Sequence, residues 1–231
     1  MLRLDRLARS VRWYSRGLVD VFTVALTALI LAGVYYAVMQ KDRYSAVLWL
    51  WFTLDAMLYP LYTLLTIMHI TREDSVTVFE LNLLGGFDAV YLGRLLLAVV
   101  AQVPVLAAAY ALCGRLGIPL APFAAKLAYT IIVAVVAMLL ASRRVAFIAV
   151  ASLTMLLPFT APFFIGRVEA LHEKLDYGTA ALMVASSPFY AWFKRNVLPV
   201  PYDSIVLTIA AFAALAALAG FYAFSSKEFS V

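Results

Sequence analysis

The amino-acid sequence predicts an all-α polytopic membrane protein with six transmembrane helices, and three observations support this prediction. The chain of 231 residues is 65% hydrophobic and only 13% charged, whereas soluble domains are roughly 45–50% apolar. Six apolar runs are each long enough, at about 20 residues, to cross the hydrocarbon core as a helix. The runs are also continuous, whereas the strands of a membrane barrel alternate apolar and polar residues.

The six predicted spans leave room for two longer connections. The spans cover residues 19–39, 46–68, 95–112, 123–141, 145–165 and 204–224. Residues 19–231 therefore form one transmembrane domain, and its longer connections are residues 72–94 and 166–203.

Residues 1–18 precede the first span and form a predicted helix with two contrasting faces. Apolar side chains share one face at 100° per residue: Leu4, Leu7, Val11, Tyr14 and Leu18. Arginines line the opposite face: Arg6, Arg9, Arg12 and Arg16. This pattern is typical of an amphipathic helix in the membrane interface, with its arginines directed to headgroups and water. The alternative is a solvated basic leader that only sets the orientation of the protein.

The connection 72–94 is a charged segment between two apolar runs. It turns at Gly85-Gly86 and ends at Gly93-Arg94. If the segment is helical, three apolar residues spaced i, i+3 and i+7 form one stripe: Val76, Phe79 and Leu83. Its polar residues then face elsewhere: Glu73, Asp74, Thr77 and Glu80. Both a docking helix and an ordinary interfacial connector have this pattern.

The connection 166–203 contains an apolar stretch, residues 179–193, that is interrupted by Ser186-Ser187-Pro188. About 15 residues are too few to cross the hydrocarbon core, and the proline breaks the helix in the middle. Backbone of this kind at membrane depth must be buried in protein or must face a water cavity. We therefore expect a re-entrant or interfacial hairpin on the outer side, before the last span.

Basic residues near the first span predict the orientation. Five arginines precede this span and Arg143-Arg144 lie between the fourth and fifth, whereas the first outward loop has only Lys41 and Arg43. Because short basic segments stay inside, the N-terminus is expected in the cytoplasm of a cell that carries this protein in its plasma membrane. An even number of spans places the C-terminus and the connection 72–94 on the same side.

Taken in order, these segments resemble the permease subunits of ABC transporters of the type-2 exporter class. In that family the loop after the second span begins with Arg-Glu and closes with Gly-Lys, and Arg72-Glu73 and Gly93-Arg94 occupy the corresponding ends. Ser75-Val76 stand where Gly-Thr is common, and Gly85-Gly86 stand where proline is usual.

A second similarity lies before the last span, where the family has an Asn-Pro-Leu…Tyr…Arg motif. The corresponding residues are Ser187, Pro188, Phe189, Tyr190 and Arg195. Ser187 replaces the asparagine and Phe189 replaces the leucine.

The resemblance implies a permease that forms its substrate pathway as a dimer with a second copy or a related permease. Separate ABC ATPase subunits would bind ATP and Mg²⁺, so that no cofactor is bound directly by this chain. The contact with the ATPase would be made by the coupling helix: Arg72, Glu73, Val76, Phe79, Glu80 and Leu83. The sequence itself has no GxxxxGK[ST] phosphate loop, which agrees with a subunit that is not an enzyme. The partners expected are the ATPase, the second permease and the lipid bilayer, and not nucleic acid.

Asp55 lies near the middle of the second span, where a carboxylate is costly and normally faces the bundle interior or a cavity. It is either a substrate-path or proton-linked group, or a protonated or hydrogen-bonded residue that ties its span to a Thr, a Tyr or Gln102 across the bundle. Asp20 and Lys126 lie near span ends, from which we expect them to reach the interface without a chemical role.

Two alternatives to the exporter follow from the same residues. One is an ATP-independent six-span channel or carrier that uses Asp55. The other is a permease-like subunit of a haem or cytochrome maturation complex, for which His172 is the only candidate ligand. We expect no metal site, because His69 and His172 fall on opposite sides of the membrane and Cys113 is the only cysteine.

Overall fold

The computed structural model describes residues 4–16, 18, 20–71, 74–140 and 142–226, which form helices joined by short turns and contain no β-strand. The number and approximate positions of the predicted spans are confirmed. Within the described residues, six helices are long and apolar enough to cross a membrane, and we call them the first to sixth spans: Val21–Met39, Arg43–Ile70, Phe87–Leu116, Ala121–Leu139, Arg143–Ala170 and Tyr202–Ser225.

The second and fifth spans each contain a wide π-helical turn. The turns are Trp51–Ala56 and Ser152–Leu156, and the prolines Pro60 and Pro158 follow them closely. Proline has no N–H to donate, so the preceding turn loses one hydrogen bond and can widen. In the second span this turn includes Asp55.

The third span begins at Phe87 and not at residue 95, as the apolar run predicted. Gly85 and Gly86 have φ angles of 86° and 139°, which glycine adopts without strain, and the helix starts directly after them. The connection 72–94 is therefore shorter than expected, and Arg94 lies inside the third span. Charged residues at the start of this helix hid its true beginning.

Three shorter elements complete the fold. The basic helix is Leu4–Ser15, and the loop helix is Asp74–Leu84. The hairpin consists of two helices, Tyr177–Ser186 and Pro188–Phe193, that meet at Ser187. The backbone N–H of Leu175 donates to the Val197 carbonyl at 2.9 Å. The chain therefore leaves the hairpin next to the point where it enters.

The second and fourth spans form the centre of the bundle. In each of them 67% of the apolar window is buried inside the protein, against 22% in the first span and 28% in the fifth and sixth. Polar side chains on the two central spans therefore face other protein groups, and these spans carry the buried pair of Asp55 and Lys126 described below.

Candidate functional sites

The loop helix exposes the apolar stripe that the sequence predicted. Val76, Phe79 and Leu83 are 42%, 58% and 42% exposed, and their spacing places them on one side of the helix. Arg72 and Glu73, which the resemblance adds to this surface, lie outside the described residues.

Glu80 does not share that exposed surface, and its contact with an ATPase stays a prediction. Its side chain is buried and forms an ion pair of 2.5 Å with Arg94. Arg94 also donates to the hydroxyl of Thr77 at 3.0 Å. The prediction from the sequence placed Arg94 at the end of a loop. As part of the third span, this arginine instead holds the polar side of the loop helix.

Tyr14 of the basic helix completes this buried cluster. Its hydroxyl donates to Glu80 at 2.6 Å and accepts from Nε of Arg94 at 3.2 Å. Burial raises the pKa of Tyr14 well above its ordinary value, so the hydroxyl keeps its proton and remains a donor. The ring of His69 lies 3.1 Å from the Tyr14 carbonyl. The cluster thus joins the basic helix, the loop helix and the third span.

The basic helix packs against the third span at one glycine. A Cβ atom at Gly93 would overlap the hydroxyl of Ser10, so only glycine permits this approach. Arg6 is half-buried and donates to the Gly85 carbonyl at 2.6 Å, which satisfies a carbonyl at the C-terminal end of the loop helix.

One arginine of the basic helix departs from the predicted charged face. Arg9, Arg12 and Arg16 are exposed as expected, but Arg6 is not. Packing against the third span, which the sequence pattern does not contain, accounts for the difference.

Asp55 forms a second buried cluster. The carboxylate is completely buried, and its Oδ1 lies 3.3 Å from Nζ of Lys126. Its Oδ2 accepts from the Ser187 hydroxyl at 3.2 Å and from the Tyr190 backbone N–H at 3.0 Å. Asp55 is thus a hydrogen-bonded residue, but it does not bind the Thr, Tyr or Gln102 side chains that the sequence suggested.

Lys126 does not reach the interface, and that expectation is wrong. The residue is only 4% exposed. Its ammonium donates to the Ser186 carbonyl at 3.2 Å and lies 5.7 Å from the centre of the Tyr59 ring. The sequence did contain a signal for this pair. Lys126 and Asp55 each lie within an apolar run, and buried charges in a membrane bundle are usually paired with one another.

The hairpin residues divide between this cluster and the protein surface. Ser187 and Tyr190 contact Asp55, and the Pro188 carbonyl accepts from the Tyr202 hydroxyl at 2.9 Å. Arg195 instead lies over the Trp192 ring at 4.8 Å and has no contact with Asp55.

The Asp55 cluster connects three elements that are far apart in sequence: the second span, the fourth span and the tip of the hairpin. Removing one partner of a buried ion pair leaves an uncompensated charge. The cluster therefore fixes the hairpin tip between the spans for as long as both charges are present.

Comparisons with protein families, with curated proteins and with solved structures found no match for this chain. The class that the fold defines is that of a multi-pass helical membrane protein. Among the described residues, no group of three or more His, Cys, Asp and Glu side chains is placed to hold a metal ion.

Proposed function

We propose that this chain is the transmembrane permease subunit of an ATP-driven ABC exporter and that its loop helix docks on a separate ATPase subunit. The observation that carries the proposal is the exposed stripe of Val76, Phe79 and Leu83. The opposite side of the same helix is fixed to the bundle by the buried pair of Glu80 and Arg94.

A coupling element must transmit displacement to the spans, and the contacts of the loop helix suit this task. Its middle is held by a 2.5 Å ion pair to the third span. Its C-terminal end is held by the 2.6 Å hydrogen bond from Arg6 to Gly85. A partner that pushes on the stripe therefore moves the third span and the basic helix together with the loop helix.

The proposal keeps the orientation that the basic residues of the sequence predict. The N- and C-termini lie in the cytoplasm, and the basic helix lies at the interface of the plasma membrane with Arg9, Arg12 and Arg16 directed to headgroups. The hairpin enters the membrane from the outer side. Two permeases, either two copies or this chain and a relative, enclose the substrate route, and ATP and Mg²⁺ are held by the ATPase.

The channel or carrier that uses Asp55 is the second candidate, because Asp55 is a buried carboxylate in a central span. The geometry favours it less, since Lys126, Ser187 and Tyr190 already donate to the two carboxylate oxygens. An ion could bind Asp55 only by displacing these donors. No contact among the described residues favours the haem-related alternative, in which His172 would be a ligand.

The test is purification of the chain from its native membrane in mild detergent, with identification of co-purifying subunits by mass spectrometry. We expect a stoichiometric subunit that contains a phosphate-binding loop and that is lost when Phe79→Asp and Leu83→Asp are introduced together. Leu171→Asp is the matched control, because Leu171 is an exposed leucine, at 56%, in the connection that we assign to the outer side. A wild-type chain that purifies alone would refute the proposal. So would equal loss of the subunit in the double variant and the control.

A further inference from the structure

A small cavity with polar walls lies inside the bundle next to Lys126. The side chains that line it include Thr63, Thr130 and Thr154 as well as Tyr129 and the lysine itself. The space that the centre of a water molecule can occupy there is about 10 Å³. A buried site holds one water when this space is roughly 10–15 Å³ and when two to four polar groups surround it.

Two buried donors on residues that contact the cavity's lining side chains have no hydrogen-bond partner among the described residues: the Tyr59 hydroxyl and Nε2 of Gln102. The Tyr59 ring centre lies 5.7 Å from Nζ of Lys126, which lines the cavity. The other end of the Gln102 amide accepts from Thr63 at 3.4 Å. Inside a bilayer an unpaired donor is costly, because no bulk water is present to replace the missing partner.

Lys126 supplies a third donor. An ammonium group has three protons, and only two of them are used by Asp55 Oδ1 at 3.3 Å and the Ser186 carbonyl at 3.2 Å. The cavity lies against the same side chain, so the third proton is available to a group within it.

The threonines supply the acceptors. The hydroxyl of Thr130 donates to the Lys126 carbonyl at 3.0 Å, and that of Thr154 donates to the Val150 carbonyl at 2.7 Å. With their protons engaged in this way, both hydroxyl oxygens keep lone pairs that can accept. The cavity therefore presents donors and acceptors together.

We propose that this cavity is a binding site for one ordered water molecule. The water accepts from Lys126 and from Tyr59, and it donates to the hydroxyls of Thr130 and Thr154. A metal cation is disfavoured by the adjacent ammonium, and an anion by the Asp55 carboxylate that already balances it. A neutral molecule that both donates and accepts fits all of these groups.

The bound water extends the Asp55 cluster to further side chains within the bundle. It adds Tyr59 of the second span, Thr130 of the fourth span and Thr154 of the fifth span to the pair of Asp55 and Lys126. This inference does not depend on the transport function proposed above, because it uses only groups that are buried within one chain.

The site is tested by X-ray radiolytic labelling of the purified protein, with the oxidised residues identified by mass spectrometry. A water bound next to a buried side chain generates hydroxyl radicals in place, so we expect Tyr59 to be oxidised several-fold faster than a dry buried tyrosine. Tyr91 is the internal control, because it is completely buried and its hydroxyl donates to the Ala217 carbonyl at 2.8 Å. Equal rates at Tyr59 and Tyr91 in the wild-type protein would overturn the proposal.

A matched pair of variants locates the water. Thr130→Val removes one acceptor from the cavity, and we expect it to reduce oxidation of Tyr59 to the level of Tyr91. Thr66→Val is the control, because Thr66 is also buried and donates to a carbonyl of its own helix, that of Tyr62, at 2.9 Å. Oxidation of Tyr59 that is unchanged by Thr130→Val would show that the radicals arise elsewhere and would refute the site. If the variant does not fold, the wild-type comparison still decides.

Discussion

The pair of Asp55 and Lys126 predicts a non-additive pattern of stabilities. Asp55→Asn keeps the size of the side chain and an oxygen that can accept from Ser187 and Tyr190, but it removes the charge. Lys126→Met keeps an unbranched side chain of similar length without the charge. Each single variant leaves the other charge buried and unpaired.

The expected magnitudes follow from the burial of both groups. Breaking a buried ion pair by removing one partner costs about 3–5 kcal/mol, and we expect each single variant to lose free energy of unfolding in this range. In the double variant no uncompensated charge remains. Replacing both members of a buried ion pair by uncharged residues of similar volume often changes the free energy of unfolding little. We therefore expect the double variant to be more stable than either single variant.

The assay is reversible unfolding in mixed detergent micelles, followed by circular dichroism. The chain contains a matched control pair in Lys194 and Glu169, which are 2.7 Å apart but have side chains that are 30% and 37% exposed. Exposed pairs contribute about 0–1 kcal/mol, so Lys194→Met and Glu169→Gln are expected to have small effects. Additive losses in the Asp55 and Lys126 variants, or losses no larger than those of the control pair, would contradict the argument.

Three further predictions concern the ends of helices and the basic helix. Arg6→Ala removes a charged hydrogen bond at the C-terminal end of the loop helix and is expected to lower the free energy of unfolding by about 1.5–3 kcal/mol. Arg9 is exposed, so Arg9→Ala is expected to change stability little. Equal effects of the two variants would refute the role of Arg6. Gly93→Val is expected to separate the basic helix from the third span, which would be measured as faster proteolysis within residues 4–15. Gly166→Ala is the control, because a Cβ atom there meets no neighbouring atom, and it is expected to leave the rate of proteolysis unchanged. The hydrogen bonds from Thr179 lower the pKa of Asp176 below its ordinary value, so this carboxylate stabilises the folded state above about pH 4 and loses that effect as the pH falls through the lower, folded pKa. An acid titration of the unfolding midpoint is expected to be flatter for Asp176→Asn than for the wild type, and identical curves would contradict this assignment.

The spans could be predicted from the sequence because their signal is local. A run of apolar residues with the length of a bilayer determines a span without knowledge of its neighbours. The turn at Gly85-Gly86 was equally visible, because paired glycines mark a change of direction.

The partners of the buried charges could not be predicted in the same way. Lys126 is 71 residues from Asp55, and only the packing of the second span against the fourth brings them together. Glu80 and Arg94 are close in sequence, but the prediction placed Arg94 in a loop, where an arginine does not need a buried partner. The stripe of Val76, Phe79 and Leu83 was found because it depends only on helical spacing.

The contacts of Asp55 also have a consequence for the order in which the chain is assembled. Ser187 and Tyr190 follow Asp55 by 132 and 135 residues, and a ribosome makes the second span long before it makes Lys126 or the hairpin. An aspartate at the centre of an inserting helix is penalised by about 2.5–3.5 kcal/mol, so the newly made second span enters the membrane with a cost that only later segments relieve. Chains truncated before residue 121 are therefore expected to leave this span only partly inserted, and chains that include the hairpin are expected to retain it.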